Sequence, residues 1–283
     1  MTAPALFSRR SFLFSSLRAG LGLGLAGACA CYFPAGLLAA TSAAPAAADP
    51  ARTAGLSAEF AGVSQGAEAW LAPRLGAARA QRIAADSRTR FAALLPSIPD
   101  IGPANRNQES LMQAVWLTAI TQAMRALGLP EKDAGRLMYD LCEEEMRNQP
   151  QERLRARGQA LFSQEGRAEL AAWAEDTRKR RHPGDWVAKA VFGDGDAFDL
   201  GYDYSECGAV KFFQAHGVGA VAPYFCLNDF VLSRAEGTGL TRRHTIAQGD
   251  SLCDFRYKKD GPVHQSWDTE TPRFAKRQPQ QRV

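Results

Sequence analysis

Over residues 70–181 the apolar side chains recur at intervals of three and four, and after His182-Pro183-Gly184 that recurrence stops. A change of hydrophobic period limits the fold strongly, because helices and strands bury different residues of the same sequence. Leu111, Val115, Trp116, Ala119, Ile120, Ala123, Met124 and Leu127 make the stripe of an amphipathic helix, closed by Gly128 and Pro130. A second helix is predicted over about 131–148, with Ala134, Leu137, Met138 and Leu141 on one face and Pro150 as its stop. Helical pattern continues over 154–179, with Leu161, Phe162, Leu170 and Trp173 as core. Beyond residue 184 aromatics, Gly and Asp become more frequent. Residues 186–192 and 198–204 read as strands, 206–216 as a helix ended by Gly217, and 224–235 as another helix. Two more strands are predicted at 240–247 and 252–258, joined by a hairpin turn at Gln248-Gly249-Asp250. The expected class is α+β: a helical N-terminal half packed on a small antiparallel sheet, with further helices in the C-terminal half. Helices that need a sheet face to cover, with no long linker between, make residues 67–260 a single domain.

The two ends read differently. Ser8-Arg9-Arg10-Ser11-Phe12-Leu13 has the twin-arginine pattern, an uncharged Gly- and Ala-rich stretch follows over 19–40, and Ala46-Ala47-Ala48 supplies an A-x-A site. Residues 1–48 are therefore expected to be an export signal, with the twin-arginine translocase as a transient partner and the periplasm as destination. An uncleaved anchor is the alternative, since about 20 apolar residues span a bilayer. Residues 49–66 are rich in Ala, Gly and Ser and read as a flexible lead-in. Gly62-Val63-Ser64-Gln65-Gly66 there matches the nucleophile elbow formally, but no convincing strand precedes it, so it is read as chance. Residues 261–283 read as a polar, loosely held tail.

Charge excludes one class of partner. Of 34 Lys and Arg, Arg9, Arg10 and Arg18 fall within a signal that carries no acid, and the rest face 30 Asp and Glu. A domain so near neutrality lacks the basic surface that nucleic-acid binding needs. Of six cysteines, Cys142, Cys207, Cys226 and Cys253 lie beyond the signal. An even count suits disulfides after export, although folding in the cytosol precedes it.

Reactive side chains concentrate in three segments. Cys207 follows Tyr202-Asp203-Tyr204-Ser205-Glu206 at a helix start, where the dipole favours a thiolate. Cys226 and Asp229 are three apart, on one helical face. Arg242, Arg243 and His244 would face Cys253 and Asp254 across adjacent strands. A zinc site of Cys207, Cys226, Cys253 and His244 has the right ligand types, but its spacing fits no short ligand motif. For any one of these cysteines taken alone, packing or disulfide formation is the better account.

The succession Glu206-Cys207, Lys211-Phe212-Phe213, Cys226-Leu227-Asn228-Asp229, Arg243-His244-Thr245-Ile246-Ala247-Gln248-Gly249-Asp250 and Cys253-Asp254-Phe255-Arg256 resembles the L-2-amino-thiazoline-4-carboxylic acid hydrolase family. His244 stands where a small residue such as Thr is expected. The closing Gly-Asp-x-x-Cys-Asp-Phe is also distantly similar to vinyl-4-reductase ligand-binding domains. The resemblance implies hydrolysis of a small cyclic amidine bearing a carboxylate, at a carbon–nitrogen bond, with no required cofactor. In that reading Cys207 or Cys226 is the nucleophile, Asp229 holds the amidinium, and Arg243 (Arg242 less so) clamps the carboxylate. His244, Cys253 and Asp254 complete the binding set. The alternative is an exported small-molecule binding domain with structural cysteines.

Overall fold

The computed structural model describes residues 50–103 and 105–277. The twin-arginine motif, its apolar stretch and the A-x-A site lie outside the described residues. Among the described residues ten α-helices and three strands follow in chain order, and no helix is long and apolar enough to cross a membrane.

The expected flexible lead-in is instead part of a helix. α1 (Pro50–Leu75) turns its small residues to advantage, because Phe60, Val63, Ala67 and Leu71 fall on one face. That face packs closely on α2 (Ala77–Leu94), and Phe60 stacks on Phe91 at 4.3 Å. Ser64 of the elbow-like motif sits mid-helix and fully buried, its hydroxyl donating to the Ala84 carbonyl at 3.0 Å. An elbow needs a strand before its serine, and there is none.

α3 (Gln108–Arg125) is buried on nearly all sides, which makes it the central helix. α4 (Glu131–Asn148) buries Ala134, Leu137, Met138 and Leu141, the face its periodicity predicts. The helix predicted over 154–179 is two: α5 (Gln151–Leu161) and α6 (Gln164–Thr177). Ser163 caps α6 by accepting from the Gly166 amide at 3.0 Å, and so restarts the helix. Leu161 and Phe162, at that corner, are only half buried.

β1 (Val187–Phe192), β2 (Leu200–Glu206) and β3 (Cys253–Tyr257) form one antiparallel sheet in that order. The register sets Ala188 against Tyr204, Tyr204 against Cys253, and Tyr202 against Phe255. Alternation therefore places Tyr202, Tyr204, Cys253, Phe255 and Tyr257 on one face and Asp203 and Arg256, ion-paired at 2.8 Å, on the other. Trp173 of α6 covers the aromatic face, edge-on to Tyr202 and Tyr204.

Between β2 and β3 lie α7 (Gly208–Ala215), α8 (Ala222–Phe225) and α9 (Asn228–Glu236). The helix predicted over 224–235 thus breaks at Cys226-Leu227. The Cys226 carbonyl accepts from Arg242 at 2.7 Å, and the Phe230 amide turns to Leu227 instead. The strand predicted at 240–247 also fails: Thr241 alone bridges to Arg256. Local acceptors take the next amides. Asp254 Oδ1 accepts from Arg243 and His244, and Asp250 Oδ2 from Thr245. Side chains that satisfy the backbone locally remove it from the ladder. The tail, expected to be loose, contains α10 (Trp267–Arg277), whose Trp267 and Phe274 pack on Tyr224.

Two glycines permit close approach of helices. A methyl at Gly135 would collide with Tyr224, and one at Gly158 with the carbonyl oxygen of Glu236. Gly55 in α1 has nothing nearby. Alanine in a helix is worth up to about 1 kcal/mol over glycine; overpacking costs about 1–3 kcal/mol. Thermal unfolding should therefore show Gly158→Ala destabilised by several degrees and Gly55→Ala neutral or stabilised. Equal effects of the two would show that α5 does not depend on contact with α9.

Candidate functional site

Arg242 is the most buried cation of the site, its side chain 3% exposed. One guanidinium nitrogen donates to Asp229 Oδ2 at 2.5 Å and another to the Cys226 carbonyl at 2.7 Å. The group lies between the rings of Phe230 and Phe255, at 5.0 and 4.7 Å. Gln265 pins its backbone, accepting from the Arg242 amide and donating to its carbonyl. Burial opposes the charge, but Asp229 outweighs it and keeps the guanidinium protonated.

Asp229 stands on the first turn of α9. Burial pushes its carboxyl up, and the pull of Arg242 offsets this only in part. Yet its side chain keeps 37% of its exposure. A group dominated by desolvation that still has accessible surface lies on the wall of a recess rather than on an open face.

Three thiols lie within electrostatic reach of this pair. Cys253 is buried, its sulfur accepting from the Ile246 amide at 3.2 Å, while Cys207 and Cys226 are half buried. The titration of Cys226 feels Arg242, Cys253, Asp229 and Cys207, and that of Cys253 feels Cys207, Arg242 and Asp229. All four cysteines among the described residues are free thiols. Burial raises all three in the cluster, Cys253 to about 12. The thiolate expected at Cys207 does not follow from its place at the head of α7. Burial raises its thiol more than the Val210 and Ala209 amides lower it.

The fold brings Cys207, Cys226, Cys253, Asp229 and Arg242 together. It leaves Arg243, His244 and Asp254 apart from them. Arg243 is exposed, and His244 Nδ1, in the exposed loop before β3, lies 3.1 Å from Asp254 Oδ2. Arg242 turns inward onto Asp229, Phe230 and Phe255, and its neighbour Arg243 turns outward. Among the described residues no group of three or more His, Cys, Asp or Glu is arranged to hold a metal ion, and the set with His244 does not assemble.

The aromatic face of the sheet supplies residues absent from the sequence-based site. Tyr202 and Tyr257 join their hydroxyls at 3.0 Å, and both titrations feel Asp229. The alternation of Tyr202 with Tyr204 and of Cys253, Phe255 and Tyr257 was the available signal. Beyond Trp173 lies a cavity of about 970 Å³ bounded by the 101–106 loop, α5 and α6, with Arg106, Arg153 and Arg157 among its walls. Arg106, from a loop without periodicity, had no signal.

Taken together these elements make an α+β domain in which thiols, a carboxylate and a buried guanidinium lie near one another. A sequence profile of the L-2-amino-thiazoline-4-carboxylic acid hydrolase family matches residues 108–257, and the chain belongs to that family. At the level of the family the function is hydrolase-like. No curated protein and no solved structure matches the chain.

Glu109, in the first turn of α3, borders the cavity wall at Arg157. Arg157 is ion-paired with Glu236, and Glu109 Oε1 is buried without a hydrogen-bond partner. Burial pushes Glu109 up to about 8, Arg157 pulling down and Glu236 pushing further up. Its unfolded value is 4.5, so between 4.5 and about 8 the folded state holds one proton more than the unfolded. Stability from this group is present below 4.5 and declines as pH rises to about 8. The penalty at neutral pH is on the order of 3 kcal/mol. Glu109→Gln mimics the protonated form. Its melting temperature should equal the wild type's near pH 4 and exceed it by several degrees at pH 8; a constant difference at all pH values would exclude the raised carboxyl.

Proposed function

We propose that the protein opens a small cyclic amidine of the 2-aminothiazoline-carboxylate kind at a ring carbon–nitrogen bond. The observation that carries the reading is the gathering of Cys207, Cys226 and Cys253 around Asp229 and Arg242, within the segment that defines the family. The amidine carbon, bonded to two nitrogens and a sulfur, becomes electrophilic once protonated. A thiol held neutral by burial does not attack on its own. A neutral amidine entering the recess takes the thiol proton, and the resulting amidinium and thiolate stabilise each other beside Asp229.

The thiolate then forms a carbon–sulfur bond to the amidine carbon, and the ring carbon–nitrogen bond breaks with its electron pair going to nitrogen, which takes a proton. Water adds to the same carbon, the enzyme thiol leaves with its proton restored, and the product is an open-chain S-carbamoyl compound. Asp229 holds the amidinium through the oxygen not engaged by Arg242. Arg242 positions Asp229, and Tyr202 and Tyr257 line the recess.

Export by the twin-arginine route, read from Ser8 to Leu13, remains part of the proposal. It supplies the translocase as a passing partner and places the enzyme in the periplasm, where its substrate arrives from outside the cytosol.

The test is ring opening of 2-aminothiazoline-4-carboxylate by the purified domain, followed as the appearance of a free amino group on the open-chain product. Cys226→Ser or Cys207→Ser should lower kcat on the order of a thousandfold or more. Full turnover by both variants would rule out covalent catalysis. No turnover by the wild type, together with thermal stabilisation by the ring compound, would identify a binding domain instead.

A further inference from the structure

Gln265 lies in the segment after β3 that reads as a loose tail, beyond the residues 108–257 that match the family. Its side-chain amide nonetheless takes both polar groups of one backbone residue in the site. Oε1 accepts from the Arg242 amide at 2.8 Å, and Nε2 donates to the Arg242 carbonyl at 2.7 Å. The preceding residue is held from the other side, since Thr241 exchanges both of its backbone hydrogen bonds with Arg256 of β3. Successive residues of an extended chain present their polar groups to opposite sides. Gln265 thus takes the side that β3 leaves open, and the two grips together fix where residue 242 sends its side chain.

The grip is itself anchored on α9. The Gln265 carbonyl accepts from Arg234 Nη1 at 2.7 Å, and Arg234 Nη2 donates to the Tyr139 hydroxyl at 2.8 Å. Trp267, buried, packs against Tyr139 and Tyr224. Arg234 and Asp229 stand on the same helix. A closed circuit results: Asp229 to Arg242, Arg242 to Gln265, Gln265 to Arg234, and α9 back to Asp229. Within it Arg242 Nε is buried without a hydrogen-bond partner. The hydrogen bonds that direct this side chain are therefore those at its two terminal nitrogens and at its backbone.

We propose that Gln265 is a positioning residue of the site: by holding the backbone of residue 242 it aims the Arg242 guanidinium at Asp229 and keeps Arg243 outside. Asp229 gains from it both an orientation and a charge. Arg242 lowers this carboxyl against burial. The thiols and phenols that feel Asp229 from α4, the head of α7, the Cys226 corner and the sheet are Cys142, Cys207, Cys226, Cys253, Tyr202, Tyr204 and Tyr257, and burial keeps them neutral. The part Asp229 plays in turnover rests on the amidine-hydrolase reading; its positioning by Gln265 does not.

The experiment follows the side-chain carboxyl carbon of Asp229 by NMR in the purified protein labelled at aspartate, the resonance being assigned by its loss in Asp229→Asn. Gln265→Met keeps the length and removes both hydrogen bonds. Its Asp229 titration should move to higher pH than the wild type's by about one unit or more, because Arg242 no longer lies against the carboxyl. Gln265→Asn, too short to bridge both backbone groups, should move it in the same direction and carries the test if Gln265→Met does not fold. Trp267→Phe loosens α10 without touching the amide; it should lower the melting temperature and leave the titration in place.

An unmoved titration in folded Gln265→Met or Gln265→Asn overturns the proposal, and so does an equal movement in Trp267→Phe. With 2-aminothiazoline-4-carboxylate as substrate, the acidic limb of kcat/KM in Gln265→Met should move together with the titration. A titration that moves in a protein without ring opening leaves Gln265 in its role and rejects the amidine hydrolase. Turnover whose acidic limb stays in place while the titration moves also leaves Gln265 in its role, and removes Asp229 from the reaction.

Discussion

The guanidinium of Arg242 is held by a carboxylate, a backbone carbonyl and two aromatic rings that come from two separate parts of the chain, residues 226–230 and Phe255. Isolated, a charge this deep would cost many kcal/mol, and the fold tolerates it because each partner offsets part of that cost. The consequences reach outward. Taking the Cys226 carbonyl breaks the helix between α8 and α9 and fixes the corner that carries Cys226. Taking one oxygen of Asp229 orients the other. Packing on Phe255 ties the loop after α9 to the sheet, and Gln265 ties it to the segment before α10.

This arrangement creates a site that is quiet when empty. Burial keeps the three clustered thiols protonated and raises Asp229. The single strong cation among them is spent inside the protein. In the proposed reaction the amidine brings the positive charge that lowers the cost of ionising a buried thiol and a buried acid together. The tyrosines belong to the same economy of charge. Their hydroxyls stay neutral through burial, and two of them bond to each other.

Much of the scaffold was legible along the chain. The faces of α3 and α4 follow from spacing, Pro150 marks the gap before α5, and β1, β2 and β3 fall close to their predicted ranges. The failures share a cause. Residues 240–247 have the composition of a strand, but Asp250 and Asp254 claim the amides that a ladder requires. Residues 49–66 have the composition of a linker, but small side chains suit a helix pressed against another helix. The split of 224–235 depends on an arginine sixteen residues away. In each case a partner remote in the sequence, or a side-chain acceptor, outweighed local preference.

The sequence by itself determined the α+β class, the family, and the types of chemical group available in the C-terminal half. It brought Cys207, Cys226 and Asp229 to notice because the motifs that carry them are short and contiguous. Only the tertiary structure decided which arginine is buried, which cysteines lie near one another, and that Trp173 packs on Tyr202 from the helical half. The reason is physical: one residue's shift in backbone direction exchanges the inward and outward side chains of Arg242 and Arg243. The meeting of α6 with the sheet depends on packing between elements that no local pattern encodes.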